Sequence, residues 1–175
     1  MATEPTILVV DDERELVDLY ASWMRDSYAV RTAYTGRGAL EQVSDEVDVV
    51  LLDRQMPDLA GDEVLDELRR RGHDCWVIMV TAVDPGLDII DLDVDDYVTK
   101  PVSRTTLTRL IETLRAKSRY GQHGRREVAA LSNKKEALDG SLSIDDLEGT
   151  DRYQRLEADL QELGDSMGDG FAERE

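Results

Sequence analysis

Four apolar runs in this chain each lead into a residue whose side chain can take part in phosphoryl chemistry. They are TILVV before Asp11 and Asp12, VDVVLL before Asp53, VIMV before Thr81, and YVT before Lys100 and Pro101. The carboxyl ends of parallel strands meet at one edge of a sheet, and ligands bind there. The pattern therefore predicts a pocket in which three carboxylates, a hydroxyl and an ammonium group come together.

Segments with helical spacing separate these runs, so the first two-thirds of the chain predict alternating strands and helices. The predicted strands are 6–10, 28–33, 47–53, 75–81 and 95–99. Helices are expected over 13–26, after Thr35 as a cap, around Val64 to Gly72, and over 103–117 with Ser103 as a cap. This alternation indicates an α/β fold with a doubly wound five-stranded parallel sheet.

One connection departs from this alternation. Residues 84–94 should hold the helix between the fourth and fifth strands, but they contain Pro85, Gly86 and scattered aspartates. Only a short or irregular helix is expected there, because proline and glycine disfavour a helix interior.

The last third of the chain differs in character and predicts an α-helical, coiled-coil-like extension. We expect a junction over 119–126, a helical region over 127–168 and a frayed end over 169–175. An apolar seam with alternating steps of three and four comprises Tyr153, Leu156, Leu160, Leu163 and Met167. Such a seam pairs either as a hairpin with the preceding helix or across a homodimer.

The net charge does not indicate which class of partner the protein binds. The net charge is −18, and lysine occurs at only four positions while arginine is common. This composition indicates adaptation to high salt, which screens the repulsion on an acidic surface. The single Cys75 excludes an intrachain disulfide. No apolar stretch is long enough for a membrane span, so we expect a cytoplasmic protein without membrane contact.

The predicted pocket favours Asp53 as a nucleophile toward a phosphoryl group. Asp11 and Asp12 carry oxygen ligands of the kind that Mg²⁺ prefers, so they can help Asp53 to hold that ion. Lys100 supplies a positive charge and Thr81 a hydroxyl donor for the phosphoryl oxygens. A cis peptide bond before Pro101 would fix the direction of Lys100.

At these residues the chain resembles a response-regulator receiver domain of two-component signalling, which has a flavodoxin-like fold. The motifs that carry the resemblance are VVDDE (9–13), LLDRQMPDLAG (51–61), MVTA (79–82) and DDYVTKP (95–101). They cover residues 5–118. By this resemblance Asp53 is the phosphoacceptor of a sensor histidine kinase, and the domain assists only its own phosphorylation and dephosphorylation.

The resemblance also implies roles for the other pocket residues. Its Mg²⁺ ligands would be Asp12, Asp53 and the backbone carbonyl of Gln55, with Asp11 acting more indirectly. Its phosphoryl-binding groups would be Thr81, the backbone of Ala82, and Lys100. Thr81 and Tyr97 would form the switch pair, with Tyr97 turning inward when Thr81 moves toward the phosphoryl group. The short segment before Lys100 departs from the family pattern, which puts in question the common receiver dimer through that face.

The tail resembles the HalX module of haloarchaeal proteins over EVAALSNKKEAL (127–138) and RYQRLEADLQEL (152–163). This resemblance does not supply an output, so two outputs stay open. Protein interaction or dimerisation is favoured by the seam. DNA binding would use the basic residues Arg115, Lys117, Arg119, Arg125 and Arg126. A phosphatase of the haloacid-dehalogenase type is disfavoured, since it needs an aspartate where Gln55 stands.

Overall fold

The computed structural model describes residues 4–118, 123–148 and 150–172 and has the predicted α/β architecture. The strands are β1 Thr6–Val10, β2 Ala29–Ala33, β3 Val47–Leu52, β4 Trp76–Thr81 and β5 Asp96–Thr99. The helices are α1 Arg14–Met24, α2 Gly36–Gln42, α3 Gly61–Arg70, α4 Arg104–Ser118, α5 His123–Ser141, α6 Ile144–Glu148 and α7 Asp151–Ala172. Among the described residues, no helix has the length and apolar character to cross a bilayer.

All strand pairs are parallel, in the order β2-β1-β3-β4-β5. The apolar strand residues are buried on both faces, because successive side chains point to opposite sides of the sheet. One face packs against α1 and α4, and the other packs against α2, α3 and the C-terminal helices. The doubly wound sheet expected from the sequence is confirmed.

Two side-chain caps predicted from the sequence are present. The Thr35 hydroxyl accepts a hydrogen bond from the Gly38 N–H at the start of α2, at 2.9 Å. The Ser103 hydroxyl accepts one from the Thr106 N–H at the start of α4, at 3.1 Å. Each bond satisfies an N–H group that the first turn of the helix leaves without a partner.

Between β4 and β5 the chain forms only a short 3-10 helix, Leu87–Asp91, hereafter the 3-10 segment. Pro85 and Gly86 precede it, which accounts for the absence of a longer helix at this place. Ile89 of this segment is fully buried. The expectation of a truncated helix is confirmed.

The C-terminal helices cover the part of the sheet that this short segment leaves uncovered. α7 packs against α5, and both contact the 3-10 segment. The covering side chains and the residues beneath them form one hydrophobic cluster that includes Met79, Ile89, Val94, Tyr97, Leu138, Leu147, Tyr153 and Leu156. The apolar seam of the last helix therefore packs within the chain.

The seam is covered unevenly along α7. Tyr153 and Leu156 are buried, at 5% and 1% exposure, whereas Leu160 and Leu163 are half-buried. The side chain of Met167 lies outside the described residues. The hairpin of α7 with α5 is present, and its apolar face packs against the sheet. α7 extends to Ala172, and fraying of the chain from 169 stays a prediction.

A buried carboxylate, Asp95, joins the sheet domain to α5. Its side chain accepts hydrogen bonds from Arg126 at 2.9 and 3.0 Å, from Arg69 at 3.3 Å and from the Val77 N–H at 2.9 Å. Its backbone carbonyl accepts one from Asn133 at 2.7 Å. The Arg126 guanidinium also lies 4.3 Å from the centre of the Trp76 ring. Arg126 was predicted as part of a basic junction, but it is bound in this contact.

Replacing Asp95 with alanine should lower the free energy of unfolding by about 3 kcal/mol, because it removes the buried carboxylate that pairs with the partly buried guanidinium groups of Arg69 and Arg126. Asp93→Ala is the control, since that side chain is 77% exposed and should cost less than about 0.5 kcal/mol. Denaturant unfolding in concentrated KCl measures both values. Equal losses in the two variants would contradict the role assigned to Asp95.

Candidate functional site

The strand ends converge at one edge of the sheet because backbone hydrogen bonds continue just past the strands. The Asp53 N–H donates to the Val10 carbonyl at 2.9 Å, and the Asp11 N–H donates to the Ala33 carbonyl at 3.3 Å. The Lys100 N–H donates to the Thr81 carbonyl at 2.8 Å. The sheet therefore fixes the backbone of these residues, and the pocket predicted from the four apolar runs is present.

Three carboxylates form the acidic part of the pocket. One oxygen from each of Asp11, Asp12 and Asp53 lies within 4.8 Å of the others. Asp11 and Asp53 are buried, at 2% and 5% exposure, and Asp12 is exposed. A set of oxygen ligands with one open side suits a hard divalent cation that keeps some of its water. The donor set fits Mg²⁺.

Asp53 lies in an unfavourable environment for a negative charge. Burial raises the pKa of the Asp53 carboxyl, and the neighbouring Asp11 raises it further. Lys100, the Thr81 hydroxyl and the Gln55 N–H lower the pKa of this carboxyl but do not cancel the rise. A bound cation would offset the remaining repulsion.

Lys100 is the positive charge of the pocket. Its Nζ lies 2.6 Å from Asp11 Oδ2, 3.6 Å from Glu13 Oε1 and 3.8 Å from Asp53 Oδ2. Burial alone would lower the pKa of Lys100, but the three carboxylates outweigh burial and raise it. The ammonium group therefore stays charged beside Asp53. The peptide bond before Pro101 is cis, as predicted.

Thr81 and Tyr97 are connected through Val83. Thr81 is fully buried, and its hydroxyl lowers the pKa of the Asp53 carboxyl. The same oxygen accepts a hydrogen bond from the Val83 N–H at 3.3 Å, and the Val83 carbonyl accepts one from the Tyr97 hydroxyl at 2.8 Å. The Tyr97 side chain is 6% exposed, so it already points inward. Burial raises the pKa of Tyr97.

Two predicted backbone contributions stay predictions. The Gln55 N–H lowers the pKa of the Asp53 carboxyl, and the role of the Gln55 carbonyl stays a prediction. Ala82 is exposed and directly follows Thr81.

Gly61 allows the segment after Asp53 to fold back on itself. A Cβ atom at Gly61 would lie 2.3 Å from the Asp53 carbonyl oxygen and 2.8 Å from the Cα of Arg54. The Gly61 N–H donates to the Arg54 carbonyl at 2.8 Å. Only glycine permits this approach, so the last residue of the LLDRQMPDLAG motif fixes the segment that follows Asp53.

Arg54 was not identified from the sequence as a functional residue. Its guanidinium donates to both carboxylate oxygens of Asp62, at 2.9 and 3.0 Å, and to Asp88 of the 3-10 segment. These partners lie 8 and 34 positions away in the chain. In the sequence, the only signal for Arg54 was its position next to Asp53. Charged residues are so common in this chain that such a position is not specific.

Lys134 was also missed. It is 6% exposed, and its Nζ donates to the Ile90 carbonyl at 3.2 Å. Burial lowers the pKa of Lys134, and the nearby carboxylates of Asp93, Asp95 and Asp91, which raise it, do not cancel this effect. The scarcity of lysine in this chain was a signal that could have singled it out.

Comparison with known families agrees with this geometry. The family model for the response regulator receiver domain matches residues 7–112, and the model for the HalX domain matches residues 122–173. Together they cover both parts of the structure.

Two curated relatives match long stretches of the chain. A Haloferax volcanii protein named "Putative transcriptional regulator" is 42% identical over 161 residues, covering 91% of this chain and 27% of that protein. Response regulator SaeR of Staphylococcus aureus is 32% identical over 121 residues, covering 67% of this chain and 53% of SaeR. The chain thus spans about a quarter to about half the length of these curated relatives.

Solved receiver structures share the fold. A CheY-like receiver domain from Methanospirillum hungatei is 27% identical with a TM-score of 0.62, covering 68% of this chain and all of that one. The BeF3-activated DrrB receiver domain is 26% identical with a TM-score of 0.58, covering 63% of this chain and 97% of that one. On the family matches, the chain belongs to the response regulator receiver family of two-component systems and carries a HalX domain behind its receiver.

Proposed function

We propose that Asp53 accepts a phosphoryl group from a sensor histidine kinase and that this modification sets the signalling state of the protein. The observation that supports the proposal is the buried Asp53 carboxylate with Lys100 and Thr81 beside it and with two further carboxylates within ligand distance. Receiver membership supplies the context, and the roles of the individual residues belong to the proposal.

The reaction follows from these side chains. An Asp53 carboxylate oxygen attacks phosphorus, a P–O bond forms, and the P–N bond to the kinase imidazole breaks with its electron pair leaving on nitrogen. The Thr81 hydroxyl and the Lys100 ammonium then donate to the phosphoryl oxygens, where negative charge is concentrated. Mg²⁺ held by Asp12, Asp53 and the Gln55 carbonyl, with Asp11 behind them, would offset the repulsion between the reacting anions.

The full chain should gain one phosphoryl group when it is incubated with acetyl phosphate and Mg²⁺. Asp53→Asn should remove this gain, because an amide is not a nucleophile toward phosphorus, whereas the exposed Asp66→Asn should keep it. Intact-protein mass spectrometry measures the added mass. Labelling that persists in Asp53→Asn would reject Asp53 as the phosphoacceptor.

Mg²⁺ binding should depend on the acidic cluster. Asp12→Asn should weaken Mg²⁺ binding by at least about tenfold, the range seen when even an outer partner of a metal site is lost. Isothermal titration calorimetry measures the affinity, with Asp66→Asn as the matched surface control. Unchanged binding in Asp12→Asn would remove this carboxylate from the proposed ligand set.

For the output we propose protein interaction through the C-terminal helices. The proximal seam is buried against the receiver, whereas Leu160 and Leu163 toward the distal end of α7 are half-buried. This distal surface supports a homodimer whose contact is made by two copies of α7. Arg126, one of the residues considered for DNA contact, is already bound to Asp95.

DNA-binding transcriptional regulation is the second candidate output. The observation that favours it is the name of the Haloferax volcanii relative, which covers most of this chain. Because Arg126 is engaged in the domain contact, such binding would have to rely on the rest of the basic cluster. Arg115 of that cluster is paired with Glu112 at 3.0 Å, and the side chains of Lys117, Arg119 and Arg125 lie outside the described residues.

Sedimentation velocity in concentrated KCl tests the output. Beryllofluoride with Mg²⁺, a mimic of the phosphoryl group, should move the full chain toward twice its mass. Leu163→Asp should prevent this by placing a charge in the contact, and the neighbouring exposed Gln161→Asp should not. A monomer in all conditions counts against the dimer, and co-sedimentation with added duplex DNA would favour the second output.

A further inference from the structure

We propose that docking of the HalX domain on the receiver and phosphorylation of Asp53 stabilise each other, with Asn133 and Arg54 as the positioning residues that link them. The HalX domain means α5, α6 and α7 here. The inference rests on the proposed phosphorylation of Asp53 and adds a direction of regulation to it.

The HalX domain completes the receiver core. The 3-10 segment is too short to cover the sheet between β4 and β5, and Leu138, Leu147 and Leu156 complete this part of the core. These three side chains are at most 3% exposed. Burial of this kind stabilises by roughly 1.5–3 kcal/mol for each large side chain, so the docked arrangement has a substantial apolar basis.

Polar contacts fix the HalX domain in one position on this face. Asn133 Nδ2 donates to the Asp95 carbonyl at 2.7 Å, and Lys134 Nζ donates to the Ile90 carbonyl at 3.2 Å. Arg152 of α7 lies 3.1 Å from Asp91. A buried ammonium or amide needs its acceptor, which makes these contacts selective for one geometry. The HalX domain therefore fixes both the 3-10 segment and the residue just before β5.

A first chain of contacts leads from there to Asp53. Tyr97 stands two residues after Asp95, and its ring belongs to the hydrophobic cluster shared with the HalX domain. Its hydroxyl donates to the Val83 carbonyl at 2.8 Å, and the Val83 N–H donates to the Thr81 hydroxyl oxygen at 3.3 Å. These two hydrogen bonds connect Tyr97 to Thr81, which lies at the end of β4 in the pocket of Asp53.

Arg54 provides a second connection. It follows Asp53 directly, and its guanidinium binds Asp62 and Asp88. Asp88 belongs to the 3-10 segment that α5 and α7 contact. Arg54 therefore holds the segment after Asp53 and the surface under the HalX domain in one arrangement.

The direction of the coupling follows from this arrangement. A phosphoryl group on Asp53 accepts from Thr81 and restrains it, which restrains Val83 and the inward Tyr97. HalX docking restrains the same tyrosine from its other side. Because either event orders groups that the other also needs ordered, each lowers the entropic cost of the other. Thermodynamic linkage makes this effect reciprocal.

Hydrogen exchange of the full chain tests the first half of the proposal. Beryllofluoride with Mg²⁺ should slow amide exchange in α5 and α7 by about fivefold or more, the lower range of coupling between two sites. In Arg54→Ala this slowing should be lost. The exposed Arg70→Ala is the matched arginine control and should respond as the parent chain does.

The reciprocal half is tested by the beryllofluoride concentration that half-saturates Asp53. Asn133→Ala should raise this concentration by about fivefold, since it weakens docking without touching the pocket. The adjacent exposed Ser132→Ala is the control and should leave it unchanged. The fluorine NMR signal of bound beryllofluoride measures occupancy, and exchange of the β1 and β3 amides verifies that each variant is folded.

The outcomes separate the two proposals. If beryllofluoride saturates the chain while exchange in α5 and α7 stays constant, or if Asn133→Ala behaves as Ser132→Ala does, the coupling is overturned. Faster exchange in α5 and α7 would also overturn it, because phosphorylation would then release the HalX domain. If neither beryllofluoride nor acetyl phosphate modifies Asp53, the proposed function fails and the coupling fails with it.

Discussion

The connection between β4 and β5 is the constraint on which the rest of this structure depends. It contains Pro85 and Gly86 and forms only a 3-10 helix, so an apolar part of the sheet would face water if nothing else covered it. The receiver therefore needs a cover from another part of the chain. α5, α6 and α7 supply that cover, and the two family regions share one hydrophobic core.

Close packing of charged groups also determines the electrostatics of the pocket. Asp11 and Asp53 are held together out of water, an arrangement that is unfavourable for both carboxylates. Lys100 relieves part of this repulsion, and the remainder favours a cation at the open side. A pocket whose negative charge is only partly offset is well suited to respond to a ligand, because binding changes the electrostatic interactions of every group in the pocket.

Much of the site could be predicted from the sequence because its residues directly follow apolar strands. The parallel strands by themselves bring Asp53, Thr81 and Lys100 to the same edge of the sheet. Arg54 and Arg126 could not be assigned in this way, since their acceptors come from distant segments. Because Arg126 is basic, the sequence predicted it as part of an exposed contact. In the folded chain its guanidinium instead binds the buried Asp95 carboxylate.

The distribution of lysine has a practical consequence. Arginine supplies most of the positive charge, yet two of the four lysines, Lys100 and Lys134, point at oxygen atoms through a compact ammonium group. Lys134 is buried, and the side chain of Lys100 is 10% exposed. A planar guanidinium would not fit either space in the same way. Amine-reactive footprinting of so few lysines would therefore follow the pocket through Lys100 and the domain contact through Lys134, each as a separate peptide signal.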